Sequence, residues 1–456
     1  MFNKILNRSL NAYLLFGAAI MLVLAAFRSG ANSNFNFNND VSYYAYSLNV
    51  FAFFSYYILL KLTLGLKTSA CNSKNLARIV FLYLLIFVFI CNWLFYTHHG
   101  TYLEFNSADS SFYHALSLKI SSMSFAGGLT WLGKYVDFEE WGMFLYVSTL
   151  YRVIPSNLFV NFVNVVLGAA SAVMLFKTMT FIIERKAAFM SALAFSCASF
   201  MFYFHASGLK ESFFCFNVIG FFYYAYSYFF KRKLNLLAAI LPFGFFIFIL
   251  RPVVLAFAIA ALAFLIFPKT TKSPYYLIVA LVIIIASAFI FPDIYVSAKR
   301  YLSSTEAIMA GVSPAAKQAG SVQNAYSVSL LSSLIGPLPT FTFKGKENVF
   351  LYSTGLLLRV ILSYYFFMGL WLIFKTRKTI MYPIAAFALF EMFSLAFILE
   401  SFELRLNMPH FPFIYIISFF GIFMKSNKLY YKKYKFEKIY IIAIFAIVLV
   451  WNFRLN

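Results

Sequence analysis

The sequence predicts an all-α polytopic membrane protein, on three observations. Thirteen long apolar segments run through the chain, the basic residues fall almost entirely on one side of them, and 62% of the residues are apolar against 11% charged. That composition belongs to a membrane protein and not to a soluble domain with a core. The segments are 10–27, 43–66, 79–96, 157–180, 187–204, 213–230, 235–250, 253–267, 275–291, 349–374, 379–399, 411–424 and 439–453. Most approach the ~20 residues that a bilayer-spanning helix needs, and the shortest are expected to be tilted, kinked or bounded by proline.

Charge sets the direction of the chain. With the N-terminus in the cytoplasm and strict alternation, the even-numbered connections carry Lys67, Lys74 and Arg78; Lys177, Arg185 and Lys186; Lys231, Arg232 and Lys233; Lys269 and Lys272; Lys375, Arg377 and Lys378; and the run from Lys425 to Lys438. With Lys4, Arg8 and Lys61 they hold 23 of the 37 basic residues, joined by two acids, Glu184 and Glu437. The other connections hold 13 basic and 12 acidic residues. This is the positive-inside pattern. It explains the net charge of +22 through cytoplasmic loops facing anionic lipid, so no nucleic-acid partner is expected.

Taken in order, the first segment follows Lys4 and Arg8 and precedes the small residues Ala25, Ala26 and Ala31, as a signal peptide would. Its 18 residues exceed a usual signal-peptide core, so it reads as a retained first helix. Segments one and two form an N-terminal hairpin, 1–78. Segments three to nine form a helical module, 79–291, which includes a large outer loop, 97–156. A second large outer loop covers 292–348, and the remaining helices lie in 349–456. Long connections on a rigid scaffold are where function concentrates.

The first loop has a pattern of its own. Phe112, Leu116, Ile120 and Met123 recur at helical spacing between Ser110 and Ser124, predicting an amphipathic helix in the interface plane that Gly127 and Gly128 end. Glu139 to Tyr151 reads as a second such helix, with Trp141, Phe144, Leu145 and Val147 half immersed. Trp131, Tyr135 and Trp141 suit the headgroup belt or stacking on sugar rings. None of the four cysteines lies in an outer loop, so no disulfide framework is expected there, and no metal-spaced His/Cys cluster occurs.

Charges at the outer boundary are the informative ones, because the positive-inside rule gives no reason for cations there. Arg251 precedes Pro252. Lys210 and Glu211 sit with His205 in the short turn His205-Ala206-Ser207-Gly208-Leu209-Lys210-Glu211. Arg405 precedes Pro409, His410 and Pro412, and Arg152 closes the first large loop. Fixed cations at one depth suit a phosphate or diphosphate; the plainer alternative is snorkelling or local ion pairing. Asp109 stands before the interfacial helix, where it caps the helix, accepts a proton from a sugar hydroxyl, or does both. Asp137, Glu139 and Glu140 form an acidic group that reads as a solvated rim or, less readily, as ligands for a divalent cation. His205 reads as a hydrogen-bonded structural residue or a proton carrier. Arg359 and Glu391 lie within spans at matching depth, which predicts an intramembrane pair. Asn157, Asn161 and Asn164 give the fourth segment one polar face for interhelical hydrogen bonds or cavity lining.

The layout of segments three to nine, with an acidic residue opening the first large outer loop and a second large outer loop following, resembles the GT-C superfamily of membrane glycosyltransferases. The residues that carry the resemblance are Asp109-Ser110-Ser111-Phe112-Tyr113-His114-Ala115-Leu116. The segments Ser207-Gly208-Leu209-Lys210-Glu211, Leu250-Arg251-Pro252, Gly336-Pro337-Leu338-Pro339 and Leu404-Arg405-Leu406-Asn407-Met408-Pro409 look like those of bacterial O-antigen and exopolysaccharide polymerases. The resemblance covers 79–424 and rests on short motifs. It implies an enzyme of the bacterial inner membrane with its active site on the periplasmic face. It also implies an undecaprenyl-diphosphate-linked glycan as partner, with membrane lipid and a chain-length regulator. Asp109 would be the base, with His205 and Glu211 beside it, and Arg152, Lys210, Arg251 and Arg405 would hold the lipid phosphate. No paired-acid metal motif follows Asp109, so the expected mechanism uses no cofactor. The expected function is a polysaccharide polymerase. The alternatives are a single-sugar transferase using an undecaprenyl-phosphate sugar, and a lipid-glycan flippase.

Overall fold

A computed structural model of the protein describes residues 1–30, 40–104, 108–266, 334–341, 347–397, 404–426 and 436–453. Among these residues every regular element is helical. In chain order the α-helices are α1 (Phe2–Gly30), α2 (Asp40–Leu64), α3 (Ser73–His99), α4 (Ala108–Ser121), α5 (Phe125–Tyr135), α6 (Trp141–Tyr151), α7 (Asn157–Thr180), α8 (Arg185–Ser196), α9 (Ser199–Ala206), α10 (Glu211–Lys231), α11 (Leu234–Leu250), α12 (Pro252–Ile266), α13 (Glu347–Lys375), α14 (Tyr382–Phe397), α15 (Leu404–Asn407), α16 (Phe411–Ser426) and α17 (Glu437–Phe453). Each predicted apolar segment coincides with one of these helices or with the pair α8–α9, except 275–291, which lies outside the described residues. Most of the second large loop also lies outside them.

Six helices are long and apolar enough to cross a membrane, and seven spans result if α8 and α9, bent by 49° at their junction, count as one. α11, α12, α14 and α16 are shorter apolar helices. The protein is thus a helical membrane protein with several spans.

Burial ranks the helices. In α13, 78% of the most apolar stretch is buried, against 44% in α1, α2 and α3. α8 and α16 are buried almost all round, which places them with α13 at the centre. α13 and α16 approach closely because glycines face each other: a Cβ at Gly369 would collide with the Ile417 carbonyl, and one at Gly421 with that of Tyr365. Small residues permit this where lipid provides no hydrophobic drive between helices.

Two ends of the bundle are distinct. At one, Arg185 Nε donates to Cys71 O at 2.7 Å, Lys186 Nζ to Leu66 O at 2.9 Å, and Tyr226 OH to Ile380 O at 2.6 Å. This gathers the loops that carry many of the basic residues. At the other end lie α4, α5, α6 and the α9–α10 turn.

The first large loop differs from expectation in two details. Gly127 and Gly128 do not end a helix; they lie inside α5, whose N-cap Ser124 accepts from Gly127 N at 3.1 Å. The face that α4 buries is Ser110, Tyr113, Ser117 and Ile120, while Phe112 is 49% exposed. Tyr113 outcompetes Phe112 for the interior because its hydroxyl finds a carboxylate there, as described below.

One buried stretch is not helical. Gly336 to Phe341 is threaded between α13 and α17, and side chains satisfy its backbone. Thr340 N donates to Ser353 Oγ at 3.0 Å, Phe341 N to Asn452 Oδ1 at 2.6 Å, and Asn452 Nδ2 to Pro339 O at 3.0 Å. Irregular backbone in a membrane protein survives only where protein supplies such partners. Asn452 of the last helix thereby acquires a role that its sequence context did not reveal.

Candidate functional site

The α9–α10 turn is built by its neighbours. α9 ends at Ala206, and Gly208, at φ +73°, reverses the chain. That left-handed conformation favours glycine. The exposed carbonyls at the end of α9 are taken up by α7: Asn161 Nδ2 donates to Ala206 O at 3.0 Å and Asn164 Nδ2 to His205 O at 3.3 Å. Asn157 Nδ2 donates to Tyr102 O at 2.7 Å and so fixes the start of the first loop. The polar face of α7 therefore makes interhelical hydrogen bonds, and these hold the turn and the loop together. Lys210 and Glu211 follow at the head of α10.

Arg251 sits at a second break. A residue before proline is driven from the helical region, and Arg251 has φ −160° and ψ 91° between α11 and α12. This turns its side chain toward α10, with Nη2 3.9 Å from Glu211 Oε1 and the guanidinium 5.2 Å from the Phe214 ring centroid.

Three ion pairs result, each joining distant parts of the chain. Arg405 Nη1 reaches Asp109 Oδ2 at 2.6 Å across 296 positions. Lys210 Nζ reaches Glu140 Oε1 at 2.5 Å, and Arg251 faces Glu211. Tyr113 OH donates to the second Glu140 oxygen at 2.5 Å. Asp109 lies in the first turn of α4 and not ahead of it, since the helix begins at Ala108. With its partner it stays partly exposed, whereas Glu211 is 2% exposed and leaves Oε2 without a partner.

Glu104 joins these groups and was not singled out from the sequence. It is buried, and Tyr203 OH of α9 donates to Oε2. Burial pushes its carboxyl up to about 7, and Glu211 and Asp109 push in the same direction; the Tyr203 hydrogen bond and Arg405 oppose them. The Tyr113 hydroxyl is also pushed up, first by burial and then by Glu140, with Glu211 and Asp109 adding to it. Glu211 and Asp109 thus lie within electrostatic reach of both Glu104 and Tyr113, which ties Glu140 and Arg405 into the same cluster. The clue available in the sequence was a lone acid in Tyr102-Leu103-Glu104-Phe105.

Other expected site residues lie elsewhere or are engaged differently. Arg152 Nη2 donates to Met123 O at 3.0 Å, away from the three pairs. His205 is 1% exposed, its Nδ1 is 2.7 Å from Ser212 Oγ, and its ring packs on Gly168 of α7. Trp131 and Tyr135 share a face of α5 with ring centroids 5.1 Å apart, and Lys119 Nζ lies 5.0 Å over Trp131. Trp141 turns inward, with Nε1 donating to Val136 O at 3.1 Å. Among the described residues no group of three His, Cys, Asp or Glu is arranged to hold a metal ion.

Arg359 and Glu391 do not form the expected ion pair. Arg359 Nη1 donates to Ile335 O at 2.7 Å and Nη2 to Leu334 O at 3.5 Å, while Glu391 lies within electrostatic reach of Arg251. Matching depth was insufficient. α13 packs on α16, α2 and α9, and α14 on α12 and α16, so the two helices present different faces.

Beside the charged cluster, a cleft of about 330 Å³ opens between α3 and α7. It is lined by Phe89, Trp93, Tyr96, Tyr102 and Phe162, with Asn92 and Asn161 among its walls. Tyr102, two residues before Glu104, joins the cleft to the cluster. No family model matches the sequence, and neither the curated proteins nor the solved structures yield a match.

Proposed function

We propose that this protein is a glycosyltransferase of the bacterial inner membrane. It would polymerise undecaprenyl-diphosphate-linked repeat units, with the charged cluster facing the periplasm. The observation that carries the reading is the convergence of Asp109, Lys210, Glu211, Arg251 and Arg405 at one end of the bundle. The cations among them run against the positive-inside rule, and together the five offer fixed cations to an anionic headgroup and carboxylates to a hydroxyl.

In this reading the lipid chain lies along the α3–α7 cleft and the diphosphate exchanges into the cluster against the carboxylates that now pair Arg405, Lys210 and Arg251. A sugar hydroxyl of the incoming unit attacks the anomeric carbon of the donor glycan. Its proton passes to Asp109, the acid implied by the GT-C resemblance, with Glu104 as a second carboxyl within reach. The bond from the anomeric carbon to the diphosphate oxygen breaks, and the cations stabilise the leaving phosphate. Trp131 and Tyr135 supply ring faces for sugars. Transfer of a single sugar from an undecaprenyl-phosphate donor would use the same groups.

A lipid-glycan transporter is the second reading, favoured by the bent pair α8–α9, since broken helices recur at transporter binding sites. The surface-glycan profile of a deletion strain separates the readings, run beside a strain complemented with Arg251→Ala. Lipid A-core bearing a single repeat unit, without the ladder, supports the polymerase. Loss of every repeat unit supports transport, and an intact ladder of altered mobility supports a single-sugar transferase. An unchanged profile removes all three.

A further inference from the structure

The break between α8 and α9 brings together groups that the charged cluster does not use. α8 runs from Arg185 at the basic end for 12 residues, and α9 resumes at Ser199 after a bend of 49°. The new N-terminus therefore lies within the bundle, and its N-cap, Ala198, provides no side-chain hydrogen bond. A helix start of this kind carries a partial positive charge and free donors.

α13 crosses it closely. Gly355 N donates to Ser199 Oγ at 2.8 Å. Arg359 lies one turn further along the same face of α13. It is fully buried, its two terminal nitrogens meet only backbone carbonyls, and Nε has no partner. α16 closes the third side. Phe411 packs on Phe200 of α9, with ring centroids 5.5 Å apart, and lies 5.9 Å beneath the Arg359 guanidinium. The preceding residue, His410, is fully buried, lies within electrostatic reach of Arg359, and has no partner on either ring nitrogen. Ser196 Oγ, at the end of α8, is also buried without a partner.

A helix N-terminus, a guanidinium and an imidazole are thus gathered around this break, and among the described residues no carboxylate is paired to them. A buried cation without a counter-charge is strongly disfavoured, and intramembrane charges are normally paired. Glu391, the carboxylate expected from the sequence to pair with Arg359, lies within reach of Arg251 instead. We propose that the α8–α9 junction, Arg359 and His410 form a binding site for a small monovalent inorganic anion such as chloride. One guanidinium matches one negative charge, and the near-zero exposure of Arg359, His410 and Ser196 suits a bare ion better than a phosphate. The site shares no residue with the charged cluster and does not rest on the glycosyl-transfer reading.

The test uses purified full-length protein in detergent, with potassium bromide compared against potassium gluconate at equal ionic strength and pH. Bromide is expected to raise the thermal unfolding midpoint by a few degrees and to saturate, because an ion that binds only the folded state stabilises it. His410→Ala and Arg359→Lys are each expected to weaken the bromide response at least tenfold in concentration; the lysine keeps the charge and removes the Nε donor. Equal midpoints in bromide and gluconate, or an undiminished response in both variants, would overturn the site. If neither variant folds, anomalous scattering from bromide in crystals of the unmodified protein decides: a peak beside Arg359 Nε supports the proposal, and bromide confined to the surface overturns it.

Discussion

Glu104 is far from an ordinary solvent carboxylate. Its folded value of about 7 lies above the ordinary 4.5, so the folded protein holds a proton that the unfolded chain releases. Stability from this group is fully present below pH 4.5 and is lost as pH rises through about 7. The unfolding midpoint in detergent is expected to fall across that window, and Glu104→Gln should flatten the fall; the same slope in both proteins would contradict a buried titrating carboxyl. Arg405 and Asp109 make the opposite case. Their pair is partly exposed, so Arg405→Ala should change stability by no more than about 1 kcal/mol. In the polymerase reading it should nevertheless lower product formation by about 10²-fold or more, as loss of a group stabilising transition-state charge does. A drop in folded protein that accounts for the lost product would reduce Arg405 to a structural role. Lys210, Arg251 and Arg405 were legible from the sequence because they break a charge rule, Glu211 because it shares the Lys210 turn, and Asp109 because it stands at the start of a helix in the first large loop. Glu104, Glu140 as partner of Lys210, and Tyr203 were not, because their significance comes from neighbours far away in the chain.

For the helices, position was legible and facing was not. Length and hydropathy mark where α1, α2, α3, α7, α10 and α13 run. Azimuth depends on which neighbour is available. α4 turns Tyr113 inward in preference to Phe112, and Arg359 turns to the Ile335 carbonyl in preference to Glu391. The Gly369–Gly421 crossing leaves its two helices little freedom, because each glycine faces backbone of the other helix. Gly421→Leu would drive a side chain into the backbone of α13, and overpacking of this kind typically costs about 1–3 kcal/mol or more. The folded peak in fluorescence-detected size exclusion is expected to shrink sharply for Gly421→Leu and less for Gly421→Ala. Equal recovery of both variants and the unmodified chain would show that the helices can separate at little cost.

At the scale of the whole molecule, the proposed orientation has a direct test. The four native cysteines are buried, so engineered ones report with little background. Lys134→Cys, on α5 at the charged-cluster end, should react with a membrane-impermeant maleimide in intact cells. Lys231→Cys, at the basic end, should react only after permeabilisation. The reverse pattern would invert the topology and place the cluster in the cytoplasm. The sequence by itself determined that this is a helical membrane protein, where most of its helices run, and which charges need a reason to exist. Hydropathy and the positive-inside rule act locally, on each segment and each loop in turn, so they can be read in one dimension. Only the tertiary structure decided that Arg405 meets Asp109, that Arg359 and Glu391 stay apart, that the pair α8–α9 bends, and that Asn452 holds the Pro339–Phe341 backbone. Those outcomes depend on helix azimuth and on the close packing of segments hundreds of residues apart, and neither leaves a periodic mark in the sequence.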